Sequence, residues 1–374
     1  MTLEVKKVTT RRHLRDFLEV AERLNSADPI WIPQLRQDFA RSLSLENPFF
    51  QDGIAERDLF VAYRGKEPVG RVLAHIHHAS NRLHQEQAGF WGFLECPDDL
   101  QVASALFDAV SARHKTAGMT QLRGPYELAI TSCLGAVVKG FDEPAAFLQS
   151  WNPPHHPALY DALGFQVVYR AATYRLDDVQ TIDTVRLMGE KQRVLLQDPS
   201  VKLRGFDMDH FERDLGAATR LLNASFKGNF GFVPLNEKEV AFLAGPMKRI
   251  VRPELTVFLE LGGEPVGVGL LLPDFNVLFK RMKGELFPLG WAKFLLGAKS
   301  LDRAVGSFIA TSPAHQNKGL MRIVLAELVK RMQELGFRTL DGTWIGDVNA
   351  ASLASVKSIG MREKHRLQLY ARPL

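Results

Sequence analysis

The chain has 374 residues, of which 46% are hydrophobic and 24% are charged. This balance is typical of a globular protein, and the length suffices for two domains with separate cores. The net charge of +5 is spread over the chain without a basic block, which argues against a nucleic-acid-binding arm. Two cysteines, a charged N-terminus and no long apolar window predict a cytoplasmic α/β protein without a signal peptide or membrane span.

The first half of the chain alternates between strand and helix patterns. Strands are predicted at residues 3–8, 58–63, 68–77, 88–94, 121–123 and 165–174. Helices are predicted at residues 11–24, 34–45, 100–116 and 157–163. A helical segment at 179–198 follows these elements and is interpreted as a connector.

The pattern then repeats. Glu-Pro-Val-Gly at 67–70 returns at 264–267, and Asn152 returns as Asn349, in both cases 197 residues later. The helix-ending Gly164 returns as Gly360. Two copies of one α/β unit explain this better than two unrelated domains. We therefore predict a first domain at 1–178, a connector at 179–199 and a second domain at 200–374.

The stretch from residue 307 to residue 360 has the most specific pattern. It predicts a strand at 307–313, a polar loop with one glycine, a helix at 320–335 and a further strand at 337–340. The first N–H groups of a helix lack partners and lie at the positive end of the helix dipole, so this order of elements predicts a phosphate site. The same elements also occur as an ordinary crossover connection.

The loop sequence Gln-Asn-Lys-Gly-Leu-Met at 316–321 resembles the acyl-CoA loop of the GNAT acetyltransferase superfamily, with Met321 departing from the usual Gly or Ala. Asn349 and Ile-Gly-Met at 359–361 resemble the last strand and helix end of that superfamily. Across the whole chain, the sequence resembles a largely uncharacterised bacterial family with tandem GNAT-like domains. The resemblance implies an α/β (α+β) fold of two tandem domains, each with a mixed, mostly antiparallel central sheet flanked by helices.

The resemblance also implies that acetyl-CoA, or another acyl-CoA, binds in the second half. The cofactor-binding residues it implies are Ile309, Ala310, Thr311, Gln316, Asn317, Lys318, Gly319, Leu320 and Met321. The equivalent segment of the first half, residues 95–100, carries three carboxylates and no glycine, which disfavours phosphate. Asp98 or Asp99 is expected to cap the helix that follows.

Acyl transfer to an amine requires a polarised thioester, a deprotonated amine and an acid for the leaving thiolate. GNAT enzymes often place a tyrosine four residues before the helix-ending glycine, where this chain has Val356 in the second half and Tyr160 in the first. The candidate catalytic residues are therefore Tyr160, Asp347 and Asn349. Alternatively, Tyr160 is a packed structural residue and Asp347 a helix cap.

Three further polar residues, Asn229, Asp274 and Asn276, are expected either near the acceptor cleft or in loop-shaping roles. Residues 276–300, which include Phe287 and Leu289, alternate apolar and basic side chains. We interpret this segment as a lid over the acceptor cleft, with a helix lying on a membrane surface as the alternative.

Four histidines are close together in the first half, but no cysteine or suitably spaced carboxylate completes a metal site. No metal is therefore predicted at His75, His77, His78 and His84.

The leading hypothesis is an acyl-CoA-dependent N-acyltransferase, most simply an N-acetyltransferase, acting on a small-molecule or protein amine. Tandem GNAT-like domains also occur in peptidyl transferases that use aminoacyl-tRNA, although the retained CoA loop argues against that function. The third hypothesis is a CoA-binding protein without catalytic activity, which Val356 and the altered first half would fit. No nucleic-acid partner is expected, and the acceptor and oligomeric state are not indicated.

Overall fold

The structure, a computed structural model, describes residues 2–128, 133–285 and 290–374, apart from the side chain of Leu295. The described residues form thirteen strands: β1 (Leu3–Lys7), β2 (Ala55–Arg64), β3 (Glu67–His77), β4 (Ala88–Glu95), β5 (Gln121–Gly124), β6 (Ala136–Lys139), β7 (Gln166–Leu176), β8 (Val201–Arg204), β9 (Thr256–Leu261), β10 (Glu264–Pro273), β11 (Arg303–Thr311), β12 (Thr339–Gly346) and β13 (Arg362–Pro373).

The helices of the described residues flank these strands. They are α1 (Arg11–Asn25), α2 (Arg36–Ser42), α3 (His78–His84), α4 (Leu100–Thr116), α5 (His156–Ala162), α6 (Thr184–Leu187), α7 (Glu190–Leu195), α8 (Phe211–Phe226), α9 (Glu237–Ile250), α10 (Asn276–Met282), α11 (Gly290–Ala298), α12 (Leu320–Glu334) and α13 (Ala350–Ser358). None of these helices is both long and apolar enough to cross a membrane.

All the strands join one sheet in the order β1-β2-β3-β4-β5-β13-β7-β12-β11-β10-β9-β8, with β6 also paired to β13. Neighbouring strands are antiparallel except for β4–β5 and β11–β12, which are parallel. The order is nearly symmetric about its centre because the two halves repeat the same unit. The predicted mixed, mostly antiparallel sheet flanked by helices is thus confirmed.

The last strand of each half pairs with strands of the other half. Strand β7 lies between β12 and β13, and β13 pairs with β5, β6 and β7. The sheet is therefore continuous across the predicted domain boundaries at 178 and 200, which remain a prediction from the repeat.

The predicted elements correspond to the observed ones with shifted ends. Helix α4 has the predicted bounds, whereas the helix predicted at 34–45 is reduced to α2. The strand predicted at 337–340 begins later and extends to Gly346 as β12, and the strand predicted at 307–313 begins earlier as β11. The connector consists of a short 3₁₀ turn followed by α6 and α7.

The second half has apolar cores on both faces of its sheet. On one face, α12 packs its buried side chains, among them Ile323 and Val329, against β9, β10 and β11. On the other face, α8 and α9 pack around Phe258 and Ala310. Helices α10 and α11 pack together beside Leu35 of the first half. Residues Phe287 and Leu289 of the predicted lid lie outside the described residues.

Candidate active site

Strands β11 and β12 separate part-way along their length. Their parallel register runs from Arg303 opposite Thr339 to Gly306 opposite Gly342 and ends there. Strand β11 continues to Thr311, and its other edge pairs with β10 on both sides of an irregularity at Ser307. Among the described strands, none pairs with the edge of β11 that faces β12 past Gly306, which leaves peptide groups there to bind an extended ligand.

The residues just beyond the point of separation are half-buried, whereas Ala304, Val305, Leu340 and Asp341 before it are buried. Ser307, Phe308 and Ile309 on β11 are all partly exposed, and so are residues 343–345 on β12. Ala310 and Thr311 are buried where β11 returns to the core. The two strands thus form the walls of an open, mainly apolar cleft.

The N-terminus of α12 adjoins the wide end of this cleft. Its N-cap residue, Gly319, has a φ of +77° and supplies no side-chain hydrogen bond. Gln316, Asn317 and Lys318 precede it and are exposed, and Asn317 also has a positive φ of +62°. An uncapped helix start beside an exposed loop leaves N–H groups available to an anion.

A residue of the connector contacts this loop. A Cβ atom at position 319 would overlap the side-chain amide of Gln192 in α7, which would have to move, and the φ of +77° itself favours glycine. Leu195 and Leu196, near the end of α7, pack with the α12 core and hold the connector in place. The sequence pattern did not indicate this contact, because residues 192 and 319 are far apart in the chain.

The corresponding cleft of the first half is filled. Strands β4 and β5 remain joined past their paired residues, since the Tyr126 N–H donates a hydrogen bond to the Trp91 carbonyl at 2.7 Å. A Cβ at Gly92 would overlap the Tyr126 carbonyl oxygen, and Trp91 is fully buried between the strands and α4.

The N-terminus of α4 carries its own anion. Asp99 accepts hydrogen bonds from the backbone N–H groups of Gln101 at 2.9 Å and Val102 at 3.3 Å. Arg64 contacts the other carboxylate oxygen of Asp99. Asp99 is therefore the N-cap that the sequence indicated, and it occupies the amides that a phosphate would need.

Tyr160 lies in the core of the first half, in agreement with the structural alternative. Its side chain is 1% exposed, and its ring lies 5.0 Å from the ring of Trp91 and 5.1 Å from that of Tyr370. Its hydroxyl lies 3.4 Å from His156 Nδ1. Because it faces neither the open cleft nor solvent, this position gives no support to a catalytic role.

Asp347 and Asn349 follow β12 at the open end of the cleft. Asn349 is the N-cap of α13, since its side chain accepts a hydrogen bond from the Ser352 N–H at 3.1 Å. The capping role considered for Asp347 thus belongs to Asn349. Asp347 instead accepts a hydrogen bond from Arg366 at 2.6 Å and is 43% exposed.

A tyrosine from the first half reaches this end of the cleft. Tyr169 on β7 lies next to β12, and a Cβ at Gly346 would overlap its hydroxyl. Its ring stacks on Phe230 at 4.1 Å and lies 6.4 Å from the ring of Trp344. Partial burial and the nearby Asp347 carboxylate raise the pKa of Tyr169, so its hydroxyl keeps its proton at neutral pH.

A buried polar network supports the narrow end of the cleft. Lys364 Nζ donates hydrogen bonds to Asp341 at 2.8 Å and to Gln149 at 3.1 Å. Gln149 in turn donates to the carbonyl of Gly342 at 2.8 Å, where the strands separate. The Lys364 and Asp341 side chains are each 1% exposed, and burial lowers the pKa of Lys364.

Asp274 and Asn276 have structural partners. Asp274 accepts hydrogen bonds from the N–H groups of Phe147 and Asn276, and the Asn276 amide donates to the Ala145 carbonyl at 2.9 Å. Both residues thus attach the segment around 145–147 to the end of β10, which favours the loop-shaping interpretation over a role in the chemistry.

Two of the clustered histidines form hydrogen bonds with backbone carbonyls. His75 Nε2 lies 3.1 Å from the Leu128 carbonyl, and His77 Nδ1 lies 3.3 Å from the Ile54 carbonyl. Within residues 2–128, 133–285 and 290–374, the structure places no three His, Cys, Asp or Glu side chains where they could hold a metal ion.

Comparison with protein families places the open cleft inside a known domain. Residues 231–361 match the acetyltransferase (GNAT) family. This match spans β11, β12, α12 and α13, the elements that form the cleft, and none of the first half.

Two curated relatives align with the chain over nearly its whole length. The bacterial ceramide synthase of Caulobacter vibrioides is 29% identical over 381 residues, covering 100% of this chain and 98% of the relative. Protein YghO of Escherichia coli is 25% identical over 379 residues, covering 99% and 95%.

Solved structures share the complete architecture. A tandem GNAT protein from the clavulanic acid biosynthesis pathway aligns with a TM-score of 0.59 at 12% identity, covering 100% of this chain and 98% of that one. A GCN5-related N-acetyltransferase from Sphaerobacter thermophilus aligns with a TM-score of 0.53 at 12% identity, covering 99% and 95%. Residues 231–361 thus match the GNAT family, and the chain as a whole shares its fold with a solved tandem GNAT protein.

Proposed function

We propose that this protein is an acyl-CoA-dependent N-acyltransferase with one functional site, in its second half. The observation that carries this proposal is the opening between β11 and β12 beside the uncapped start of α12. We assign the pantetheine arm to the free edge of residues 309–311 and the pyrophosphate to the amides of residues 316–321. CoA provides the leaving thiolate of the reaction.

The proposed substrates are a fatty acyl-CoA and a long-chain amine. The relative from Caulobacter vibrioides is named a ceramide synthase, and a ceramide is the amide of a fatty acid with a long-chain amino alcohol. The half-buried aromatic walls of the cleft suit apolar chains on both substrates. Acetyl-CoA with a small amine is the alternative substrate pair, and the cytoplasm remains the proposed location.

In the proposed reaction, the amine nitrogen attacks the thioester carbonyl carbon, the C–S bond breaks, and the thiolate takes a proton. We propose that the Tyr169 hydroxyl donates this proton, because it reaches the cleft. Val356, at the position where related enzymes often have a tyrosine, has no proton to donate. The Asp347 carboxylate, near Tyr169 at the exposed end of the cleft, is proposed to accept the proton that the amine loses.

Titration calorimetry with CoA tests the cofactor site directly. We expect Gly319→Trp to abolish binding, because the indole would displace Gln192 and cover the amides at the start of α12. Gly336→Trp is the matched control, since Gly336 ends the same helix with the same φ of +77° and has no atom within 4 Å of its Cβ position. Equal binding by both variants would contradict the assigned site.

Mass spectrometry then tests the reaction, with palmitoyl-CoA or acetyl-CoA as donor and a long-chain amino alcohol as acceptor. We expect an N-palmitoyl amide to form faster than the N-acetyl amide. CoA binding without amide formation from any amine would favour the non-catalytic hypothesis. Absence of CoA binding would overturn the proposal and leave the aminoacyl-tRNA hypothesis to be tested.

A further inference from the structure

A cavity of about 230 Å³ lies between the two halves. The first half contributes Phe90, Tyr126 and Leu128 to its lining, and the loop between α8 and α9 contributes Val233 and Leu235. Pockets for complete small ligands measure roughly 300–1,000 Å³, so this cavity has room for part of a ligand only.

Three polar side chains of the cavity, those of His77, Asn236 and Glu239, have partners within the protein. Glu239 Oε2 accepts a hydrogen bond from the Asn236 N–H at 3.0 Å, which forms a capping box at the start of α9. His77 lies 3.3 Å from the Ile54 carbonyl, and burial lowers its pKa to about 4, so the ring is neutral at pH 7. With these groups occupied, the remaining lining is predominantly apolar and favours a hydrocarbon ligand.

Apolar side chains connect the cavity to the open cleft. Trp344 forms part of the cleft wall and packs edge-to-face with Tyr169, which stacks on Phe230. Phe230 directly precedes Gly231 in the cavity wall, and the same cluster continues to Phe90. Trp344, Tyr169 and Phe230 are all half-buried and contact one another through their rings, so they link the wall of the cleft to the wall of the cavity.

We propose that the cavity binds the end of the alkyl chain of one substrate, so that the first half, whose own cleft is filled, contributes to chain binding together with the loop between α8 and α9. This inference rests on the proposed acyl transfer in the second half. A saturated chain would follow the path over Trp344 and Phe230 while its reacting end lies between β11 and β12. Either the acyl chain or the chain of the amine has the required chemistry, and the experiment distinguishes them.

The test narrows the cavity without altering the cleft. Ala79 lies on α3 in the cavity wall, and Ala79→Phe would occupy part of the space. Leu83→Phe is the control, because Leu83 lies on the same helix, is 52% exposed and does not line the cavity. Val233→Trp narrows the cavity from the opposite wall and decides the question if Ala79→Phe does not fold.

Binding of CoA, palmitoyl-CoA and dodecylamine is measured by calorimetry for each variant. We expect Ala79→Phe to keep the affinity for CoA and to weaken binding of one chain-bearing probe at least tenfold. Weaker palmitoyl-CoA binding assigns the cavity to the acyl chain, and weaker dodecylamine binding assigns it to the amine.

Unchanged affinity for both probes in both cavity variants would overturn the chain-binding role, while CoA binding by the same variants would leave the acyltransferase proposal intact. Loss of CoA binding by Gly319→Trp tests that proposal separately, since Gly319 does not line the cavity.

Discussion

Tyr160 and Tyr169 show how differently two residues of one type are used. Tyr160 is fully enclosed by aromatic rings in the first half, where its hydroxyl meets only protein atoms. Tyr169 is half-buried and belongs to the strand that crosses into the second half, so its hydroxyl reaches the end of β12. Tyr160 was indicated by its place four residues before the helix-ending Gly164. Tyr169 is the better candidate for the general acid because it lies at the open cleft.

Replacing Tyr169 with phenylalanine tests this role. The ring can still stack on Phe230, so we expect kcat to fall by roughly 100-fold while the KM for acyl-CoA stays unchanged, because general acids typically contribute factors of this order. Tyr174→Phe on the same strand is the control. A change in KM alone would indicate that Tyr169 only shapes the cleft.

At the scale of elements, the exchange of the last strands binds the two halves together. Among the described strands, β7 pairs only with β12 and β13 of the second half, and β13 pairs only with β5, β6 and β7 of the first. A half expressed alone would expose unpaired strand edges, and its last strand would have no partner. The exchange also brings Tyr169 to the cleft of the second half.

We therefore expect residues 1–178 and residues 179–374, expressed separately, to lack a cooperative unfolding transition. Co-expression should restore a complex that unfolds in one transition, because each fragment supplies the missing neighbours of the other. Circular dichroism with thermal unfolding and size-exclusion chromatography would check both statements. A fragment that unfolds cooperatively alone would show that the exchanged strand is dispensable.

At the scale of the whole molecule, several histidines of the first half are buried in the neutral form. Burial lowers the pKa of His75 and His156 to about 3 and that of His77 and His114 to about 4. In the unfolded chain each would titrate near a pKa of about 6.5. At these four histidines the unfolded state thus binds more protons between these values, so their contribution to stability is lost as the pH falls below about 6.5. The buried Glu127, whose pKa burial raises to about 7, opposes part of this loss.

We expect the free energy of unfolding in urea to fall between pH 6.5 and pH 5, with each buried histidine contributing a slope of up to about 1.4 kcal/mol per pH unit. His156→Phe removes one such group. The free energy of unfolding of this variant should therefore fall less steeply with decreasing pH than that of the parent, by up to about 1.4 kcal/mol per pH unit, even if the variant is less stable overall. Parallel slopes for the variant and the parent would contradict this account.

Much of the fold was predictable from the sequence because it depends on local patterns. The repeated Glu-Pro-Val-Gly begins β3 in one half and β10 in the other, and Gly164 and Gly360 both end helices with positive φ. The capping role of Asp99 also followed from its place before an apolar helix. The cofactor loop and its residues remain a prediction, now supported by an open cleft beside them.

The sequence by itself determined the repeated α/β unit, the glycine loop of the second half and the carboxylates that replace that loop in the first. Only the tertiary structure decided that the last strands exchange, that Gln192 lies against Gly319, and that Tyr169 and Phe230 meet at the cleft. The reason is physical. Helix periodicity, caps and turns depend on neighbours within a few residues, whereas strand pairing and cavity walls depend on residues that meet only after the chain has folded.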